Sequence, residues 1–293
     1  MPKEKRFPSL EGVNKLHENH IKHINILKTT LEKLRIISQK ICIETHPKFS
    51  PKIKRIQLRY FLKTIEEMNE VAYHACLMKR HTAVEAISRI SVEMSVNFIY
   101  IAQGEKHSRA KGLLKYYIEK GKKSAKKWEE FLIRNKNESS LGASRDRYKT
   151  MLLREQLLGD LTQSPYEAWP NSSLEKFKKI GFEGGYNNIF SPASDSVHLL
   201  GEDIINIFIG TFLHDKNADE YFDGIIKEKQ SYAIYLLICS AVLQWEALSY
   251  ASEIIADPIL ENELEDVRSE LIPIYEQHEL DSKWARETSI IKD

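Results

Sequence analysis

Cysteine is scarce in this chain, with only Cys42, Cys76 and Cys239, far apart and each in an apolar helical pattern. Three such residues exclude a disulfide framework and lack the paired spacing of a zinc site, so they are expected to be reduced core residues of a cytosolic protein. Excess charge of one sign is missing too: 43 Lys and Arg stand against 42 Asp and Glu, and the net charge of +1 gives no general pull toward nucleic acid or an anionic membrane. Long apolar runs are absent. The best candidate, 232–248, is interrupted by Gln244 and Glu246 and falls short of the roughly 20 residues a span needs, which predicts a buried core helix and no membrane association. The opening MPKEKRFPSLEG lacks the apolar stretch of an export signal. GFEGG at 181–185 has glycines but no lysine of a phosphate loop, and no stretch alternates at the period of a strand.

What remains is helical and globular. Hydrophobic residues make up 42% of 293, with 13 Tyr, 11 Phe and 4 Trp, ample for a large core. Apolar periodicity predicts an all-α fold, a single bundle of about eight helices around a buried central helix at 82–102. A flexible lead (1–12) precedes an N-terminal helical hairpin (13–79), whose first helix is a candidate for partner or homodimer contacts. A helical core (80–251) and an acidic C-terminal helix and tail (252–293) follow. Within the core, a basic helix at about 105–135 has Gly121 as a weak point, and 134–146 reads as a hinge before a helix resuming near Tyr148. A capped short helix is expected near 175–180, and a longer one at about 191–213 with an apolar stripe of Val197, Leu200, Ile204, Ile207 and Phe208.

The segment TAVEAISRISVEMSVNFIYIA, 82–102, is apolar on both flanks of a polar stripe, Glu85, Arg89, Glu93 and Asn97, so these charges are expected to lie inside the protein. Their four-residue spacing predicts that Arg89 is partly neutralised between two carboxylates. Opposite, Ser88, Ser91 and Ser95 form a thin stripe that a neighbouring backbone can approach. A second polar constellation, Ser194, Asp195, His198 and Glu202, shares one face of the later helix. Brought together, an arginine that holds phosphate and a histidine that moves protons suffice for metal-independent RNA cleavage. The competing reading is a buried polar network that only fixes helix register. Asp195 and His198 also have the spacing of a bundle metal site, but one copy is present where two are needed. HENHIKH sets His17, His20 and His23 three apart; with no acid or cysteine to complete a ligand set, it reads as an exposed polar face. No metal and no cofactor is expected. From Lys106 to Lys127 nine basic residues meet one Glu, a candidate RNA-facing surface or simply a solvated helix end.

Three stretches in order, AISRISVEMSVNFIYIA (86–102), SRAKGLLKYYIEKGKKSAKKW (108–128) and WPNSSLEKFKKIGFEGGYNNIFSPASDSVH (169–198), resemble a family of mostly bacterial helical proteins known only as a domain of unknown function. The resemblance covers roughly 80–250 and carries over Arg89, Glu93, Arg109, Trp169, Tyr186, Ser194 and His198. It lends no reaction. More distantly the chain is similar to the HEPN group, which implies an RNase of the toxin or antiviral-defence type, although Arg89 lacks a histidine four to six residues on. The candidate catalytic set is therefore Arg89, Glu93, Ser194 and His198, with Arg109, Tyr116 and Tyr186 as substrate-binding side chains. RNA and a protein are the candidate partners. The alternative is a non-catalytic interaction or scaffold module.

Overall fold

The computed structural model describes residues 10–43, 45–159, 165–194, 201–212 and 215–289, with side chains omitted at 10–15, 201–203, 215–217 and 282–289. Among the described residues there are ten α-helices and no strand: α1 (Leu10–Ile41), α2 (Lys52–Leu77), α3 (His81–Gln103), α4 (Ser108–Arg134), α5 (Leu141–Leu158), α6 (Ser173–Lys179), α7 (Glu183–Gly185), α8 (Gly201–Thr211), α9 (Asp215–Ile255) and α10 (Pro258–Ser289). α7 runs directly into a π-helical turn, Tyr186–Phe190.

The helix at 82–102 is the centre of the bundle, as its composition requires. Its apolar residues enter three separate core clusters. Near its start Val84 joins Leu27, Cys76, Leu237 and Leu271; in its middle Val92 and Val96 join Phe177, Phe190 and Leu243; at its end Phe98 to Ile101 meet Leu34, Phe61, Leu248 and Leu264. Each such side chain taken from water contributes about 1.5–3 kcal/mol before entropy is counted. The stripe Ser88, Ser91 and Ser95 is wholly buried, its hydroxyls without hydrogen-bond partners among the described residues.

α9 is the other spine. It lies along α1, α3 and α10, and 67% of its most apolar window is inside the protein, although by length and hydropathy alone it could cross a membrane. Gln244, which breaks the apolar run, accepts a hydrogen bond from Asn69 Nδ2 (2.6 Å), and Ser240 donates to Asn69 Oδ1. A buried amide and hydroxyl thus stay satisfied and pin α9 to α2.

Several expectations need correction. HENHIKH is no exposed face: α10 covers it. His20 and His278 stack at 3.6 Å, His23 Nδ1 lies 3.0 Å from His278 Nε2, and His20 Nε2 lies 3.0 Å from Asp281 Oδ2, while His17 bonds Gln230. An imidazole has an apolar ring body and one polar edge, so it can be buried wherever a second helix supplies the partner. Cys42 is exposed past the end of α1, at a φ of 47°, and only Cys76 and Cys239 are core residues. Gly121 is a packing site rather than a break, because a Cβ there would lie 2.5 Å from Met151 Sδ of α5. α5 begins at Leu141, earlier than its periodicity suggests. On α8, Ile204, Ile207 and Phe208 are more than half exposed instead of buried; Val197 and Leu200 lie outside the described residues.

Candidate functional site

Seen from α3, its polar stripe is a ribbon with α6 lying across it. α6 starts at the expected cap: Ser172 Oγ accepts from Glu175 N (3.2 Å), and the Glu175 carboxylate accepts from Asn171 N. The helix aims Phe177 into the middle core cluster and Lys176 at the ribbon. Lys176 is 5% exposed; its ammonium donates to Asn97 Oδ1 (2.8 Å) and to Glu93 Oε1 (3.3 Å) and sits 5.6 Å from the Trp169 ring.

Arg89 is therefore not paired with Glu93, contrary to the expectation from spacing. Glu93 turns to Lys176, because a buried ammonium must have a counter-ion, and an Arg followed four residues later by Glu is the weaker order of a helical pair. Arg89 forms no ion pair with a described residue. Its guanidinium lies 4.5 Å over the Phe190 ring, and its Nε is buried without a hydrogen-bond partner. Phe190 in turn meets the Tyr186 ring at 5.7 Å. The π-turn thus places Tyr186 next to the ring on which Arg89 rests. Ser194, partly exposed, stands one turn further along the same helical segment. Asp195 and His198 lie outside the described residues, and so does the side chain of Glu202.

At the far end of α3 a second arginine is fully engaged. Arg109, in the first turn of α4, donates from Nε to Glu167 Oε2 (2.7 Å) and from Nη1 to the Tyr100 carbonyl (2.9 Å), with its guanidinium 4.2 Å over the Tyr100 ring. Lys179 Nζ and Tyr100 Oη also donate to Glu167, each at 2.9 Å. Burial would raise the Glu167 carboxyl, but these three donors prevail and hold it at about 2. Burial and the same carboxylate push the Tyr100 phenol up. Lys54 closes the junction by donating to the carbonyls of Ala102 and Gly104, at the C-terminal end of α3 where a cation is favoured. Gly112 makes this approach possible: a Cβ there would lie 1.9 Å from the Glu167 carbonyl oxygen. Trp169 packs edge-on against Tyr100 at 5.2 Å.

Tyr116 is half-buried against the core, with Lys120 5.3 Å from its ring. It belongs to the hairpin of α4 and α5, whose outer surface carries the basic run. There Lys120, Lys123, Lys126 and Lys127 are exposed, as is Tyr117; Lys126 lies over Tyr148 at 5.2 Å and Arg154 over Tyr117 at 5.9 Å. Among the described residues no group of three His, Cys, Asp or Glu side chains is arranged to hold a metal ion.

The structure thus draws Arg89, Glu93 and Tyr186 into one neighbourhood and sets Arg109 and Tyr116 apart from it. Sequence reasoning missed Lys54, Glu167, Lys176 and Lys179. None carries a local signal: a lysine in SLEKFKK reads as solvated until α3 is known to lie beneath it.

The fold and this ribbon define an all-α bundle protein with buried charge along its central helix. Within that class, the chain belongs to the family of unknown function DUF5677, whose model matches residues 54–219 and so runs from the first turn of α2 through α8, with the π-turn and both arginines. No curated protein and no solved structure matches the chain.

Proposed function

We propose that this member of the family acts on RNA, as an effector of the defence or toxin type, and cleaves the strand without a metal. Arg89 holds the scissile phosphate, and His198 accepts the proton of the 2′-hydroxyl as that oxygen attacks phosphorus. The 5′-oxygen leaves and takes a proton from water, giving a 2′,3′-cyclic phosphate. One observation carries the reading: a guanidinium on the central helix has no carboxylate partner among the described residues, while the acid four residues on is committed to Lys176. An arginine so placed gains most from an oxyanion ligand. The α4–α5 hairpin supports it, since exposed lysines interleaved with tyrosines suit a phosphate backbone and unstacked bases.

For Glu93 the structural role is the better supported one, because its bond to Lys176 ties α6 to α3. A non-catalytic scaffold is the rival for the whole ribbon. Incubation of the purified chain with single-stranded RNA in EDTA separates the two. Cleavage is expected to fall at least about 100-fold in Arg89→Ala and His198→Ala, the scale of removing one group that stabilises a transition state, with the melting temperature unchanged. Intact RNA, or loss of activity only in step with loss of folding, rejects the enzyme and leaves the scaffold.

A further inference from the structure

On another flank of α3, a cleft of about 370 Å³ opens between Ile99, the turn that follows α6, α9 and α10. The size falls within the range of about 300–1,000 Å³ typical of small-molecule sites. Its walls are apolar and aromatic, with Phe182 from the turn, Val242 and Tyr250 from α9 and Tyr275 from α10. Among the described residues one carboxyl group lines it. Glu246 is half-buried and has no hydrogen-bond or ion-pair partner among the described residues. Burial, and then the nearby Glu253, push its carboxyl above the usual range, against a smaller opposing pull from Arg268. Arg268 is itself held by Glu265 at 3.1 Å. The local field is therefore negative, and the one carboxylate in the cleft lacks the cation that its burial calls for.

We propose that this cleft binds a small organic amine, with an aromatic or aliphatic body against Ile99 and Val242 and a protonated nitrogen paired with Glu246. The aromatic lining favours the same charge, since ring faces attract ammonium groups. A carboxylic acid would meet Glu246 as a like charge, and a neutral ligand would leave that acid buried and unpaired. Cys239, also on the wall, takes no covalent part, because burial holds its thiol far above the range in which a thiolate forms.

The test is titration calorimetry of the full-length chain at pH 7.5 with three probes that share a body and differ in charge: tryptamine, 3-ethylindole and indole-3-propionate. Tryptamine is expected to saturate one site per chain and to bind at least tenfold more tightly than 3-ethylindole, with no binding of indole-3-propionate. Glu246→Gln should abolish the preference for tryptamine while leaving the melting temperature unchanged. Val242→Phe, which fills the cleft without touching the charge, should remove binding of both tryptamine and 3-ethylindole and decides the matter if Glu246→Gln does not fold. The proposal is overturned if tryptamine does not bind saturably, if the neutral probe matches the amine, or if binding persists in Val242→Phe. RNA cleavage plays no part in these readouts, so the two proposals fail independently.

Discussion

Arg89 and Arg109 sit beside the same central helix, and their surroundings differ in one respect. Arg109 is held by Glu167, the Tyr100 carbonyl and the Tyr100 ring, so its charge already has a carboxylate partner. Arg89 has a ring beneath it and no carboxylate among the described residues. The first arginine is joinery between α3, α4 and the segment carrying Glu167. The second holds unspent hydrogen-bonding capacity, and that capacity gives the phosphate-binding proposal its physical content.

The largest effect should come from breaking the Arg109 end sterically. Gly112→Ala drives a methyl group into the Glu167 carbonyl, and a cost of about 3 kcal/mol is expected in urea unfolding, the upper range for overpacking. An unchanged midpoint would mean that the segment is not held against α4.

Titration with acid sharpens the comparison next. Burial, together with the charges of His20 and His23, lowers His278 from 6.5 to about 2, and burial lowers His20 and His23 too. His278 is therefore neutral in the fold and protonated in the unfolded chain between pH 6.5 and about 2. Its stabilisation is complete above that range and is lost as pH falls through it. Glu167, depressed from 4.5 to about 2, keeps its contribution until pH drops below 4.5. Between pH 6.5 and 4.5 the α1–α10 contact should therefore weaken before the Arg109 junction does, by about 2–3 kcal/mol from His278. Unfolding midpoints at pH 7 and 4.5 measure this; a slope unaltered by His278→Gln would show that the histidines are not its source.

Somewhat smaller is the loss from Arg109→Gln, about 2 kcal/mol, because Glu167 keeps Lys179 and Tyr100 as donors. Smallest is the stability change in Arg89→Gln, about 0.5–1 kcal/mol, since among the described residues only the contact with the Phe190 ring is lost. A cost as large as that at Arg109 would place both arginines in the same structural role. On the outer hairpin, Lys123→Glu with Lys126→Glu and Lys127→Glu should leave folding intact while weakening RNA retention and flattening its salt dependence, read by filter binding across a salt series.

The burial of Glu85 and Asn97 was legible from the apolar flanks of their helix, and so was the cap at Ser172; Arg89 and Glu93, expected inside with them, are half-buried. The partners were not. Glu93 looks committed to Arg89 until α6 brings Lys176 across the ribbon, and Arg109 shows nothing of Glu167, 58 positions later. HENHIKH reads as solvent-facing because its completing residues, His278 and Asp281, belong to the last helix.

Periodicity alone determined that this chain is helical and that 82–102 is its centre, because the apolar pattern of a helix is written in residues three and four apart. Which charge meets which, that three histidines share one interface, and that one arginine has a carboxylate partner while another has none among the described residues were decided only by packing. Those pairings join residues tens to hundreds of positions apart, and ionisable side chains, once denied water, settle on whichever partner the tertiary fold brings within reach.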